Sequence, residues 1–351
     1  MTSSAPGRLA GLDLAALDRH LHAVGVARSG ELRAELIAGG RSNLTFLAAD
    51  DASQWVLRRP PLAGLTPSAH DMAREYTVVA ALADTAVPVA PAVTMVNDDT
   101  VLGAPFQMVE YVAGRVVRSR RELEALGDAA AVESCVDGLV QVLADLHAVD
   151  PEAVGLGDFG KPAGYLERQV RRWGSQWDLV RLPDDPRDTD LRRLHAALAE
   201  AVPPQSRSSI VHGDYRIDNT ILDAADPGRV RAVVDWEMST LGDPLSDAAL
   251  MCVYRDPSLD LIIDEQAAWT SPLLPPADEL AHRYSLASDQ PLAHWNFYMG
   301  LAYFKLAVIA AGIDFRRRQA GNGGAEEASS DRVGETVAPL IARGLSALSG
   351  S

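Results

Sequence analysis

The sequence predicts an α+β fold: a small antiparallel sheet toward the N-terminus, then a mainly helical remainder. Three observations carry that prediction. Short apolar runs punctuated by Gly and Pro crowd residues 35–117, the pattern of strands joined by turns. Beyond residue 120 apolar residues recur at helical spacing. A strand–loop–strand unit over 209–235 then interrupts the helices. At 351 residues the chain is long enough for two cored parts, expected over 1–110 and 111–351.

Taken in order, Leu9, Leu12, Leu14, Leu17, Leu21 and Val24 predict a helix within 9–28. Residues 35–47 read as two strands around the Gly39-Gly40 turn, and 54–59 as a strand stopped by Pro60-Pro61. A helix over 69–82 carries Arg74 and Glu75. The prolines of 87–96 suggest a loop or edge strand. Residues 102–117 read as a strand with a break at Gly114. Helices follow over 129–149, 162–180 and 191–201, and again from Asp247 to about Gly312. The Gly-rich polar stretch 319–330 reads as a flexible linker before a short closing helix.

An apolar fraction of 47% and a charged fraction of 23% are ordinary for a globular protein. The net charge of −16 opposes nonspecific binding to nucleic acid or an anionic membrane. Cys135 and Cys252 imply no disulfide framework and read as small buried apolar residues. No apolar signal core opens the sequence. The most apolar late stretch, 295–312, is interrupted by Asn296 and Lys305 and reads as too short to span a bilayer comfortably. A cytoplasmic enzyme, with no nucleic-acid or membrane partner, is the default expectation. The basic residues are nearly all arginine, the only lysines being Lys161 and Lys305.

The most informative stretch is 210–222, where His212, Asp214 and Asn219 form His-x-Asp-x-x-x-x-Asn between two apolar strands. A further apolar run, 230–234, ends in Asp235. Phosphoryl transfer needs a carboxylate to orient and deprotonate an acceptor hydroxyl, and oxygen ligands for Mg²⁺. Asp214 suits the first role; Asn219 and Asp235 suit the second. A lone His-x-Asp would mean little, but the full spacing followed by a strand capped with Asp is specific.

These motifs, with Gly242-Asp-Pro-Leu-Ser-Asp247, resemble those of the aminoglycoside phosphotransferase family over roughly residues 30–315. That family is a branch of the protein-kinase-like fold. The segments 55–61, 157–160 and 165–170 resemble most the subgroup related to the phosphotransferase-like domain of some acyl-CoA dehydrogenases. The resemblance implies a two-lobe fold, ATP or GTP as co-substrate, Mg²⁺, and a small-molecule hydroxyl as acceptor. It suggests a hydroxyacyl compound or hydroxyacyl-CoA, with an aminoglycoside as the alternative. A non-catalytic nucleotide-binding protein on the same fold is the rival of a different class.

The resemblance also distributes roles. Backbone groups of 39–43, with Ser42 and Asn43, would cover the β- and γ-phosphates. With no lysine before Lys161, the phosphate-binding cation falls to Arg58, partnered by Glu75, while Arg59 faces the other side of the strand. Backbone near Glu110 and Val112 would read adenine. Arg216 would neutralise the transferring phosphoryl group. His212 is expected to be structural, bonding backbone near Asp235, and Asp218 to be exposed. Asp247 is expected to cap the helix that follows it. The arginines at 168, 171 and 172, with Trp173 and Trp177, and the late-helix residues Trp295, Tyr298, Tyr303 and Lys305, stand between acceptor binding and a solvated or packed helix face.

Overall fold

The structure, a computed structural model, describes residues 8–38, 43–62, 72–321 and 332–350. It divides into two compact units. The first comprises 1–114 with 231–237, the second 115–230 with 238–351.

In the first unit β1 (Arg8–Leu9) and β2 (Leu12–Asp13) form a short antiparallel hairpin before α1 (Leu14–Ala23). The helix expected within 9–28 is therefore confined to its middle. Gly11 at φ +85° turns the hairpin, and the Asp13 side chain accepts from Ala16 N, so the helix begins only at Leu14. β3 (Arg33–Ala38), β4 (Leu44–Ala49), β5 (Gln54–Arg59), β6 (Ala92–Val96) and β7 (Phe106–Glu110) make one sheet in the order β3-β4-β5-β7-β6. Every neighbouring pair is antiparallel, with Phe46 opposite Leu57 and Leu57 opposite Met108. β6 lies at the sheet edge, and Pro88 and Pro91 stay outside it. Leu17 and Leu21 of α1 pack with Phe46, Trp55, Leu57 and Phe106 in this unit's core. α2 (Met72–Ala81) buries Met72, Glu75, Val78 and Val79.

The second unit opens with α3 (Arg120–Glu124), α4 (Ala129–Ala148), α5 (Tyr165–Val180) and α6 (Asp188–Glu200). β8 (Ser209–Val211), β9 (Thr220–Leu222) and β10 (Val230–Val233) follow, β10 leading the chain back into the first unit's segment. β11 (Thr240–Gly242) pairs antiparallel with β8. The helices α7 (Pro244–Val253), α8 (Ser258–Ile263), α9 (Ala277–Ser288), α10 (Trp295–Gly321) and α11 (Val337–Ser349) complete the unit.

Two sequence expectations change here. Asp247 is not a cap: α7 starts three residues earlier, with Pro244 at its first position and the Asp243 side chain accepting from Leu245 N at 3.1 Å. α10 does not stop at Gly312 but runs to Gly321. By length and composition alone it is apolar enough to cross a membrane, yet 67% of its apolar window is buried inside the chain, as in a core helix. Residues 319–321 of the expected linker belong to α10, and 322–330 lie outside the described residues.

Candidate active site

Period-two alternation on β5 separates its two arginines. Arg59 turns inward with Trp55 and Leu57 and donates to the carbonyls of Gly11 and Leu102, and burial holds its pKa below the ordinary value. Arg58 points from the opposite face and donates to Glu75 of α2. Its Nη2 stands 3.8 Å from Asp235 Oδ1, so one guanidinium faces two carboxylates. Glu75, 3% exposed, also accepts from Gln107 Nε2. Burial pushes the Glu75 carboxyl up to about 7; Arg58 opposes that shift, and the charges of Asp235 and Glu237 add to it.

Asp235 follows β10 with φ +66°, in the left-handed region. For a non-glycine residue that conformation costs about 1–2 kcal/mol and needs surroundings that hold it. Asn43 is buried at 5%, and its Oδ1 has no hydrogen-bond partner among the described residues. Ser42, Gly39 and Gly40 lie outside the described residues. Glu110 ends β7 with its side chain exposed and its N–H donated to Pro91 O at 2.8 Å; Val112 follows, half-buried.

In the second unit β8 delivers the chain into the catalytic-loop motif. Asp247, one turn inside α7, accepts from His212 N at 2.5 Å and Gly213 N at 2.9 Å, with His147 Nε2 3.4 Å away. Burial alone would raise the Asp247 carboxyl, but His147 and the loop N–H groups bring it below the usual range. Gly213 has φ +84°, and a Cβ there would lie 2.8 Å from Met238 O, so only glycine fits. His212 is fully buried and its Nδ1 accepts from Asp214 N at 3.2 Å. Asp214 is half-exposed at the end of this brace. Its Oδ1 accepts from the Tyr254 hydroxyl, and its Oδ2 from Asn219 Nδ2 at 3.2 Å. Asn219 also donates to the Asp214 carbonyl at 2.8 Å, which leaves its Oδ1 as the atom a cation would use.

Arg216 Nε stands 3.4 Å from Asp214 Oδ1 and its Nη1 3.1 Å from Asp218 Oδ2, with its guanidinium 5.4 Å over the Tyr254 ring. Asp218 is half-buried rather than exposed, and burial raises its pKa.

Two further residues touch this loop: Tyr254, which sequence reasoning missed, and Lys305, which it left between acceptor binding and a packed helix face. Tyr254 lies seven residues after Asp247, two helical turns on and so on the same face of α7, and that spacing was a usable signal. Lys305 Nζ donates to Gly213 O at 2.6 Å from α10. No local pattern connects residues 213 and 305.

Mg²⁺ commonly takes only one or two protein carboxylates, completing its shell with phosphates and water. Asn219 Oδ1 in the second unit and the Asp235 carboxylate in the first are each a hard oxygen donor of the kind Mg²⁺ takes, although no group of three or more His, Cys, Asp or Glu suited to a metal occurs among the described residues.

Residues 33–280, which carry all of these side chains except Lys305, match the phosphotransferase enzyme family. The chain belongs to that family. This phosphotransferase-family chain is 33% identical over 334 residues to human acyl-CoA dehydrogenase family member 11, covering 94% of this chain and 42% of that protein. It spans less than half the length of the curated relatives it matches. A crystal structure from Ralstonia eutropha JMP134, assigned as an aminoglycoside phosphotransferase, superposes with a TM-score of 0.80 at 32% identity, covering 96% of this chain and 98% of the other. A thermostable mutant aminoglycoside phosphotransferase in ternary complex with ADP and hygromycin B matches at a TM-score of 0.59 over 95% and 98% of the two chains. At 15% identity that likeness establishes the fold alone. The fold is the kinase-like one of this family, in the α+β class.

Proposed function

We propose that the chain is a Mg²⁺-dependent kinase that moves the γ-phosphate of ATP or GTP to a hydroxyl of a small molecule. The observation that carries this reading is the restraint on Asp214. Its two carboxylate oxygens are held by Tyr254 and Asn219, and its backbone hangs from a loop clamped by Asp247. A carboxylate fixed in this way orients an acceptor hydroxyl and takes its proton as the phosphoryl group transfers. Arg216 beside it offsets charge on the moving group. Arg58, oriented by Glu75, is the phosphate ligand, and Ser42 and Asn43 are the proposed contacts to the β- and γ-phosphates. Adenine is read by the Glu110 carbonyl and the Val112 backbone. Asn219 and Asp235 are the Mg²⁺ donors, and the ion would supply Lewis-acid neutralisation of the phosphate oxygens.

For the acceptor we favour a hydroxyacyl compound or its CoA ester. The dehydrogenase-named relatives support that choice; we further propose a cytoplasmic reaction with no nucleic-acid or membrane partner, a reading the net charge of −16 supports. Aminoglycoside phosphorylation is the second reading, supported by the fold neighbours. ATP turnover with Mg²⁺ across an acceptor panel tests the proposal. Asp214→Asn should lower kcat roughly hundredfold or more. Nucleotide binding without turnover, unchanged in the variant, would establish instead a non-catalytic nucleotide-binding protein.

A further inference from the structure

Lys305 is one of two lysines in the chain, and its placement is costly. Its ammonium sits beside the catalytic loop, half-buried, with a neutral carbonyl, Gly213 O, as its hydrogen-bond partner. The ammonium also lies 5.6 Å over the Trp173 ring, and the Arg172 guanidinium stands 5.7 Å from the same ring. Among the described residues neither cation forms an ion pair. The nearest carboxylates are already committed: Asp247 to two backbone N–H groups and His147, Asp214 to Tyr254 and Asn219. Burial lowers the Lys305 pKa, Asp214 and Asp247 work against that shift, and Arg172 adds to it. A partly desolvated cation beside a second cation, with no described carboxylate ion-paired to either, is an arrangement that an incoming anion stabilises.

A cavity lies at this point, within the second unit. Tyr165, Gln169, Trp173, Tyr298 and Lys305 line it, with Gly213 of the loop and Asp247, whose carboxylate is spent on the loop N–H groups, in its wall. Apolar ring faces with a few convergent polar groups are what a small-molecule site presents. An ammonium with three N–H donors, one of them spent on Gly213 O, has two left for a ligand.

We infer that this cavity binds an anionic group of the acceptor, with Lys305 as its direct counter-ion and Arg172 as the supporting charge. The anion is the free carboxylate of a hydroxy acid or an acidic group of its CoA ester. The same two cations repel polycationic acceptors, so the site selects against aminoglycosides. This inference rests on the kinase reading for its biological meaning, but anion binding can be measured apart from phosphoryl transfer.

The test uses the full chain and three probes: 3-hydroxyhexanoate, its methyl ester and its CoA thioester. Calorimetric titration without nucleotide should show the acid or the thioester binding more tightly than the neutral ester, and which of the two binds identifies the source of the charge. Lys305→Met should weaken that anionic probe roughly tenfold to hundredfold and leave the ester unchanged. Lys305→Arg, which keeps the charge, should restore most of the affinity. The inference is overturned if the wild type binds neither anion more tightly than the ester. It is equally overturned if the Met variant weakens ester and anion alike, which would make Lys305 a brace for Gly213 only. Measuring KM and kcat with Mg²⁺-ATP on the same variants separates the two proposals. Anion binding that depends on Lys305 without any turnover retains the site and removes the kinase reading; turnover with no preference for anionic acceptors does the reverse.

Discussion

Replacing Asp247 by Asn tests how the catalytic loop is held. The carboxylate accepts from the backbone N–H groups of His212 and Gly213 at 2.5 and 2.9 Å. An asparagine keeps one acceptor and turns an NH₂ donor toward the other N–H. One buried donor then loses its partner, at a cost of about 1–3 kcal/mol. The surviving bond drops from charge-assisted to neutral, for roughly another 1 kcal/mol. Together the loss is about 2–4 kcal/mol, a large share of the 5–15 kcal/mol typical of a domain. Urea unfolding monitored by tryptophan fluorescence should show this loss. Acidification gives a second signature. The folded-state pKa of Asp247 is depressed below 3.8, so its contribution is present above that value and disappears as pH falls through the folded-state pKa. The variant should lack that part of the acid destabilisation. A variant within 1 kcal/mol of wild type with the same acid profile would refute the clamp.

Two other outcomes follow from the same geometry. Arg58→Met should raise the KM for ATP, because Glu75 loses the cation it orients; Arg58→Lys should recover only part of the loss, since a point charge cannot serve Glu75 and Asp235 as a planar fork does. Tyr254→Phe removes a hydroxyl donor from Asp214 and should lower kcat/KM roughly tenfold to hundredfold with circular dichroism unchanged, whereas a change under about threefold would mean that Asn219 and Arg216 hold the carboxylate without it.

What was legible in the sequence was local. Asp214 and Asn219 are five residues apart, and spacing alone suggests one loop, in which they do bond each other. Arg58 and Arg59 separate by strand alternation, which needs no tertiary information. The partners of the loop come from far along the chain: Tyr254 is 40 residues from Asp214, and Lys305 is 92 from Gly213. Periodicity reports which face of a helix is buried but not what it is buried against. That is also why Asp247 read as a cap. An acidic residue before an apolar run has the same sequence signature whether it ends a helix or reaches across to another loop. The early helix was overextended because apolar residues of the Gly11 hairpin happened to fall at helical spacing.

The lysine-poor composition has a chemical consequence. Nucleotide analogues that carry an acyl phosphate capture kinases by acylating the amine that contacts the phosphates. The sequence of the first unit holds no lysine, and Arg58 faces Glu75 and Asp235 instead. A guanidinium remains protonated far above neutral pH and is a poor nucleophile. On the proposed kinase reading, the chain would hold such an analogue and release it unmodified, escaping capture methods that depend on that amine, while the few labels it does accept would report on Lys161 and Lys305.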